Sequence, residues 1–116
     1  MRIVIGLGAT VIVLAVGLFL VFGRGREIQG PDARKLVAAG ARLLDVRSPE
    51  EYAGGHLPGA INIPVQELDR RLAEVGPRDG ALILYCRSGH RSGRAAEILR
   101  RNGFTRVHNL GPMTAW

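Results

Sequence analysis

The sequence predicts an α/β domain, a parallel sheet flanked by helices, preceded by one transmembrane helix. Two patterns support this fold class. From about residue 31 onward, short apolar runs of strand type alternate with helical segments, the rhythm of a parallel sheet with crossover helices. The residues before them contain a long uncharged apolar run. The 116 residues allow one ordinary domain, and the single cysteine excludes an internal disulfide framework, so an apolar core must stabilise the fold.

Residues 3–22 form an apolar run without a charge, an amide side chain or proline. A helix of this length rises roughly 30 Å, the thickness of the hydrocarbon core of a bilayer. A buried core helix and a cleaved signal peptide are the alternatives, but the apolar region of a signal is shorter, about 7–15 residues, and a small-residue cleavage site follows it. Here a Gly-Arg-Gly-Arg segment follows. We therefore expect residues 1–23 to be a membrane-spanning helix and residues 24–30 to be a linker.

Basic residues beside the apolar run predict its orientation. Arg2 precedes the run, whereas Arg24, Arg26, Arg34 and Lys35 follow it. Because cytoplasmic flanks carry the excess of Lys and Arg, this bias favours a single-pass membrane protein with a cytoplasmic carboxy-terminal domain. A periplasmic or other extracytoplasmic domain stays open as the alternative.

The formal charge of +6 does not predict a nucleic-acid partner. Without the three arginines that flank the apolar run, 13 basic and 10 acidic residues remain, and they alternate along the chain. One tryptophan and two tyrosines do not make a stacking platform beside a basic stripe. We therefore expect no nucleic-acid binding.

The first elements of the soluble part have clear boundaries. A helix is predicted over residues 31–39, because Pro31 suits a first helical turn and a glycine follows the last one. Residues 43–46 are a short apolar run of buried-strand type. Ser48 and Glu51 have the spacing of a capping box with Pro49 at the first helical position, so a short helix follows.

The remaining elements alternate in the same way. Apolar residues at three-and-four spacing, Val65, Leu68, Leu72 and Val75, predict a helix over residues 65–75. Residues 81–85 are the strongest strand, a continuous apolar run typical of a strand covered on both faces. The other predicted elements are a strand at 60–63, a turn at 76–80, a helix at 91–102 and a strand at 104–108.

The segment of greatest chemical interest is Cys86-Arg87-Ser88-Gly89-His90-Arg91-Ser92, between the strongest strand and the next helix. Ligands of open α/β sheets bind beyond the carboxyl ends of strands, where helix amino termini present unpaired N–H groups. A loop that turns tightly at a glycine can direct its amides toward the sulfur, and neighbouring guanidinium groups add positive charge. We therefore expect a thiolate nucleophile able to hold an anionic adduct such as a persulfide.

A lone cysteine after an apolar strand is more often a buried small hydrophobe. The six residues that follow it here argue against that interpretation, because five are polar or charged and one is glycine.

Three segments in order resemble one family. They are Leu44-Asp45-Val46-Arg47 followed by Glu51-Tyr52, the Gly-His-Leu-Pro-Gly-Ala-Ile-Asn-Ile-Pro segment at 55–64, and the cysteine loop at 86–92. Together they resemble the single-domain rhodanese sulfurtransferases over residues 31–116. The resemblance implies a rhodanese-like parallel sheet and transfer of a sulfane sulfur from a donor, either thiosulfate or a persulfide, onto the cysteine. The persulfide then passes its sulfur to cyanide or a thiol, and neither a cofactor nor a metal is needed.

The resemblance also assigns site residues. Cys86 is the catalytic nucleophile. The residues expected to bind substrate through backbone amides and side chains are Arg87, Ser88, Gly89, His90 and Arg91. Asp45, Arg47 and Ser92 are expected to support the site, the first two as a charged pair that braces it. His56 is expected to be a hydrogen-bonded turn residue, and His108 carries no signal.

Two other functions stay open. Cysteine-dependent phosphatases and arsenate reductases hold an oxyanion in a loop with five residues between cysteine and arginine, whereas four residues separate Cys86 from Arg91. The shorter loop better fits a terminal sulfur atom than a phosphoryl group. A non-catalytic module that binds a protein partner at the membrane is the other alternative, although the intact cysteine loop argues for catalysis.

Overall fold

The computed structural model describes residues 27–116. The predicted transmembrane helix at 1–23, including the membrane-binding run at 3–22, lies outside the described residues and stays a prediction. Within the described range, no helix has both the length and the apolar character needed to cross a bilayer.

Four parallel strands form one sheet with the order β2-β1-β3-β4. The strands are β1 (Arg42–Asp45), β2 (Ile61–Asn62), β3 (Leu82–Cys86) and β4 (Val107–Pro112). The helices are α1 (Gly30–Ala38), α2 (Pro49–Ala53) and α3 (His90–Arg101), and 3₁₀ segments span Val65–Arg70, Leu72–Glu74 and Met113–Ala115. The prediction of an α/β domain with a parallel sheet is confirmed.

Apolar side chains cover both faces of the sheet. On one face, Leu84 and Cys86 pack with Leu99 of α3 in one core cluster. On the other, Ile83 and Tyr85 pack with residues of α1 in a second cluster. All five residues of β3 are buried, which explains why this strand reads as a continuous apolar run.

The chain enters this fold beside β4. The amide of Glu27 donates to the carbonyl of Asn109 at 2.7 Å, and the carboxylate of Glu27 accepts from the Asn109 amide at 3.0 Å. Helix α1 then starts at Gly30, close to Trp116 at the other end of β4, where Arg34 donates to the Trp116 carbonyl. Residues 27–30, assigned to a linker by composition, are therefore packed on the domain.

The capping box at the start of α2 is confirmed. The amide of Glu51 donates to Ser48 Oγ, and a carboxylate oxygen of Glu51 accepts from the Ser48 amide, both at 3.2 Å. This arrangement fixes the direction in which the Glu51 side chain leaves the helix.

Two predicted elements are wrong in detail. The α-helix predicted at 65–75 is instead a pair of 3₁₀ segments interrupted at Arg71, whose φ of −122° leaves the helical range. The last strand runs over Val107–Pro112 rather than 104–108, with a register shift opposite Leu84/Tyr85. Phe104, which suggested the earlier start, is a buried loop residue of the core.

Candidate active site

Cys86 is the last residue of β3, at the carboxyl edge of the sheet, and is fully buried. The chain turns directly after it into α3, which begins at His90. Gly89 makes that turn possible with a φ of +95°, a left-handed backbone conformation that residues with a Cβ rarely adopt. A Cβ there would also contact Gly111 Cα at 3.4 Å, so the loop lies against the end of β4.

The sulfur of Cys86 is surrounded by hydrogen-bond donors from its own loop. The Gly89 amide donates to Sγ at 3.0 Å and the Ser92 amide at 3.4 Å. Ser92 Oγ lies 3.5 Å from Sγ and donates to the Gly89 carbonyl at 3.1 Å. With the sulfur as a thiolate, rotation of this hydroxyl turns it into a third donor to Sγ.

These contacts lower the pKa of the Cys86 thiol below its ordinary value. Burial acts in the opposite direction and is the largest single cause. The Ser92 hydroxyl and the backbone amides of Ser92, Gly89 and Ser88 all stabilise the thiolate, and their combined effect on the pKa exceeds that of burial.

The same sulfur completes the amino terminus of α3. Gly89 at the N-cap has no side chain that could accept from the first turn. Cys86 Sγ takes that acceptor position, because it receives the amide of Ser92, the third residue of the helix. The positive end of the helix dipole thus faces the sulfur, which further favours negative charge there.

Arg91 is held by a carboxylate on the facing wall and not by the sulfur. Its guanidinium binds Glu51 in a bidentate ion pair, Nη1 to Oε1 at 2.6 Å and Nη2 to Oε2 at 3.0 Å. The hydrogen bond from Arg91 lowers the pKa of Glu51 to about 2, and the same bond raises the pKa of Arg91. The expected guanidinium support of the thiolate is thus secondary to the amide and hydroxyl donors.

Asp45 and Arg47 form a second ion pair where β1 ends. Arg47 Nη2 lies 2.6 Å from Asp45 Oδ2, and the Arg47 amide donates to Oδ1 at 2.9 Å. Arg47 Nη2 also donates to the Gly55 carbonyl at 2.7 Å, and its guanidinium carbon lies 5.6 Å from the centre of the Tyr85 ring. The pair therefore braces the segment after α2 against the end of the sheet.

A cleft of about 410 Å³ opens beside this edge. It is lined by Arg47, Glu51, Gly54, Gly55, Arg87, Met113 and Thr114. Two of its charged residues, Arg47 and Glu51, are already in ion pairs. Arg87 is exposed and makes neither an ion pair nor a hydrogen bond with any residue from 27 to 116. It is the cation available to an anionic ligand on that wall.

The structure gathers most residues that sequence reasoning singled out. Gly89 and Ser92 contact the sulfur, so Ser92 lies closer to it than its supporting assignment implied. Ser88 and His90 are exposed on the outside of the loop. His56 is exposed in its turn, where Nδ1 hydrogen-bonds the Tyr52 carbonyl at 2.9 Å and the two rings stack.

Sequence reasoning missed the role of Glu51 as the partner of Arg91. The two residues are 40 positions apart, and Glu51 was given a role only in the capping box, although it also lies in a matched segment. Its place in that matched segment, four positions after Arg47 at the end of the buried Asp45–Arg47 turn, was the available signal. Residues 27–116 contain no group of three or more His, Cys, Asp or Glu that could hold a metal ion.

The model of the Rhodanese-like domain family matches residues 31–116. The chain belongs to the rhodanese-like family. Its curated relatives include the thiosulfate sulfurtransferase PspE of Escherichia coli, 43% identical over 65% of this chain and 73% of that protein. The human thiosulfate:glutathione sulfurtransferase is 39% identical over 74% of this chain and 88% of that protein. The Bacillus subtilis protein YqhL is 48% identical over 66% of this chain, and the match spans 60% of its length.

Solved structures agree with this assignment. A human single-domain sulfurtransferase superposes with a TM-score of 0.65 at 35% identity, covering 77% of this chain and 89% of that one. Several of the curated relatives are named sulfurtransferases, which supports sulfurtransferase activity in general for this chain.

Proposed function

We propose that this protein transfers a sulfane sulfur from thiosulfate, or from a persulfide donor, to a thiol or cyanide through a persulfide on Cys86. The Cys86 thiolate attacks the outer sulfur of the donor. The S–S bond of thiosulfate breaks, and sulfite leaves with the bonding electron pair. An acceptor thiolate or cyanide then attacks the outer sulfur of the persulfide, and the Cys86 thiolate is restored. Both steps exchange one sulfur bond for another, so no external oxidant or reductant is needed.

The environment of Cys86 Sγ is the observation that carries this proposal. Two amides and a hydroxyl surround the sulfur at the amino terminus of α3, and they lower its pKa. The same donors would stabilise the terminal anionic sulfur of a persulfide, whose charge lies close to the original thiolate. Sulfur transfer needs this stabilisation in both the resting and the loaded enzyme.

The loop residues have separate parts in the proposal. Arg87, which has no carboxylate partner among residues 27–116, attracts the anionic donor through the cleft, and the exposed Ser88 and His90 line the approach. Gly89 and Arg91 shape the loop, while Asp45, Arg47 and Ser92 position it. Because Cys86 has no exposed surface, the donor reaches Sγ when the exposed residues 87–88 move aside.

The names of relatives support the substrate classes. PspE is named for thiosulfate, and the human relative for thiosulfate and glutathione, a thiol. The cleft of about 410 Å³ has room for an acceptor larger than cyanide. The apolar run at 3–22 and the basic residues after it support attachment of the domain to the cytoplasmic face of a membrane.

Mass spectrometry of the intact full chain tests the proposal. After incubation with thiosulfate, we expect the mass to increase by one sulfur atom and to return to its starting value on addition of cyanide. Cys86→Ser, which keeps a small side chain at the same position, should show no gain.

An unchanged mass in a folded wild-type chain would contradict the proposal. Hydrolysis of an aryl phosphate by that chain would assign it to the phosphatase class instead. Capture of a membrane protein partner without either reaction would favour a binding module.

A further inference from the structure

The end of the sheet opposite the active site carries a second charged surface. We define the amino edge as the loops that precede the strands, residues 39–42, 75–81 and 101–106. Arg42, Leu82 and Val107 are paired at the starts of β1, β3 and β4, so these loops lie side by side. Cys86 and the cleft lie at the carboxyl ends of the same strands.

Four exposed arginines project from the amino edge: Arg42, Arg78, Arg101 and Arg106. Arg42 donates to the Val75 carbonyl at 3.3 Å. Arg78 donates to the Asn102 carbonyl at 3.0 Å, with its guanidinium carbon 4.9 Å from the centre of the Phe104 ring. None of the four forms an ion pair with a carboxylate in the described part of the chain, so their charges are not neutralised.

The acidic residues near this edge do not cancel that charge. Glu74, just before the second loop, is bound by Arg71 with Nε to Oε2 at 2.7 Å. Asp79 is the acid within the loops themselves, and it is exposed. The amino edge is therefore a basic surface, whereas two of the three arginines around the cleft are paired with carboxylates.

The chain enters the domain at this same end. Glu27 pairs with Asn109 in the first half of β4, and Arg100 Nη2 binds both Glu27 Oε1 at 2.5 Å and the Val107 carbonyl at 2.9 Å. From there residues 27–30 run toward Trp116 at the carboxyl end. The described part of the chain therefore begins near the amino edge.

The length of chain available before Glu27 is short. Residue 22 ends the apolar run, and the five residues from there to Glu27 span at most about 18 Å when fully extended. With the run in a bilayer, part of that distance crosses the headgroup layer, so the amino edge stays close to the lipid surface. In the sequence, this short segment contains two further basic residues, Arg24 and Arg26.

We infer that the amino edge docks on a phospholipid surface that contains anionic headgroups, with the Cys86 cleft facing away from the bilayer. Arginines without a carboxylate partner attract anionic headgroups over about one Debye length, and this attraction does not depend on the chemistry at Cys86. Docking at this end leaves the cleft open to small donors and acceptors in solution. The inference rests on the proposed membrane attachment through residues 3–22, but it concerns a different surface from the proposed active site and can fail or hold separately from the sulfur chemistry.

Fluorescence quenching in nanodiscs tests the inference with the full chain. Cys86→Ser removes the native thiol, and Thr105→Cys then places one fluorophore at the amino edge. Thr114→Cys in the same background places it at the cleft. Each protein is reconstituted in phosphatidylcholine with or without phosphatidylglycerol, together with a lipid that carries a quencher. We expect the label at 105, but not at 114, to be quenched when phosphatidylglycerol is present, and salt to reverse the effect.

Charge reversal provides the matched comparison. Arg106→Glu removes an exposed arginine from the amino edge, whereas Arg94→Glu removes one from the exposed face of α3, and neither arginine is in an ion pair with another residue of the range 27–116. Arg106→Glu should lower the ratio of docked to free domain about fivefold or more, given the contribution expected per basic residue at an anionic surface. Arg94→Glu should leave that ratio unchanged.

Several outcomes would overturn the inference. One is quenching of the label at 105 to the same extent in the two lipid mixtures, and another is equal quenching of the labels at 105 and 114. The others are equal effects of Arg106→Glu and Arg94→Glu, and failure of the full chain to associate with nanodiscs of either lipid mixture. Salt-dependent binding of single-stranded RNA that Arg106→Glu abolishes, without an effect of phosphatidylglycerol, would assign the surface to nucleic acid. Persulfide formation in the wild-type chain would be unaffected by any of these results.

Discussion

Two arginine–carboxylate pairs flank the cleft, and they differ mainly in their access to water. In the Asp45–Arg47 pair, the two side chains are 0% and 7% exposed. In the Glu51–Arg91 pair, they are 29% and 32% exposed. Both carboxylates receive two or more N–H groups from their arginine, so hydrogen-bond geometry does not distinguish them.

Burial changes what each pair does. Arg47 lies inside the domain and also donates to the Gly55 carbonyl. Removal of the Asp45 carboxylate would therefore leave the Arg47 guanidinium buried, with neither a counter-charge nor water to solvate it. Arg91 could turn to water or to an anionic ligand when Glu51 is lost, since both lie beside the open cleft. The buried pair therefore fixes the framework of the site, while the accessible pair sets the charge that a substrate meets.

Among the variants that test this comparison, Asp45→Asn should cause the largest loss of stability. It leaves Arg47 buried without a counter-charge, and we expect the free energy of unfolding to fall by about 3–5 kcal/mol. Denaturant unfolding of the full chain in mild detergent, followed through the fluorescence of the single tryptophan, Trp116, measures the change. Asp69→Asn, at an exposed position without an ion pair among the described residues, should change stability by less than about 0.5 kcal/mol. Equal losses in the two variants would contradict the difference assigned to burial.

Glu51→Gln should have a smaller effect on stability and a clear effect on charge selectivity. Glutamine can still accept from the Ser48 amide, so the loss is that of a partly exposed ion pair, about 1 kcal/mol or less. The variant removes a carboxylate from the cleft and releases the Arg91 guanidinium. Alkylation of Cys86 by anionic iodoacetate should therefore accelerate a few-fold relative to alkylation by neutral iodoacetamide.

The ratio of the two alkylation rates cancels any change in how often the loop opens. Asp69→Asn serves again as the control, since it removes one negative charge outside the residues that line the cleft. A ratio that rises equally in both variants would show that net charge, and not the Glu51–Arg91 pair, sets the selectivity.

Whether a feature depends on neighbouring or on distant residues explains which parts of the molecule could be predicted from the sequence. The strand of continuous burial, the capping box and the cysteine loop are local patterns, and each was recognised from adjacent residues. The Glu51–Arg91 pair joins residues 40 positions apart, and no periodicity connects them. The volume and lining of the cleft depend on Met113 and Thr114, which are distant in sequence from Arg47.

Two local patterns were ambiguous for physical reasons. Val65 and Leu68, like Leu72 and Val75, are three residues apart, a spacing that suits a 3₁₀ turn as well as an α-helix. In β4, Asn109 and Gly111 resemble a turn, but Asn109 is buried and its Oδ1 accepts from the Gly111 amide at 2.9 Å. That internal hydrogen bond satisfies a polar side chain inside a strand, which composition alone does not reveal.

The smallest predicted effect is a pH dependence confined to the accessible pair. The folded pKa of Glu51 lies at about 2, below its ordinary value of 4.5, because Arg91 and the Ser48 cap stabilise the carboxylate. Its contribution to stability is thus complete above pH 4.5 and is lost as the pH falls toward 2. The stability difference between wild type and Glu51→Gln should shrink through this window, and that between wild type and Arg91→Gln should shrink with it. Denaturant midpoints measured across the window test both variants, and a difference that stays constant would mean that the carboxylate gains no stabilisation from Arg91 in the folded protein.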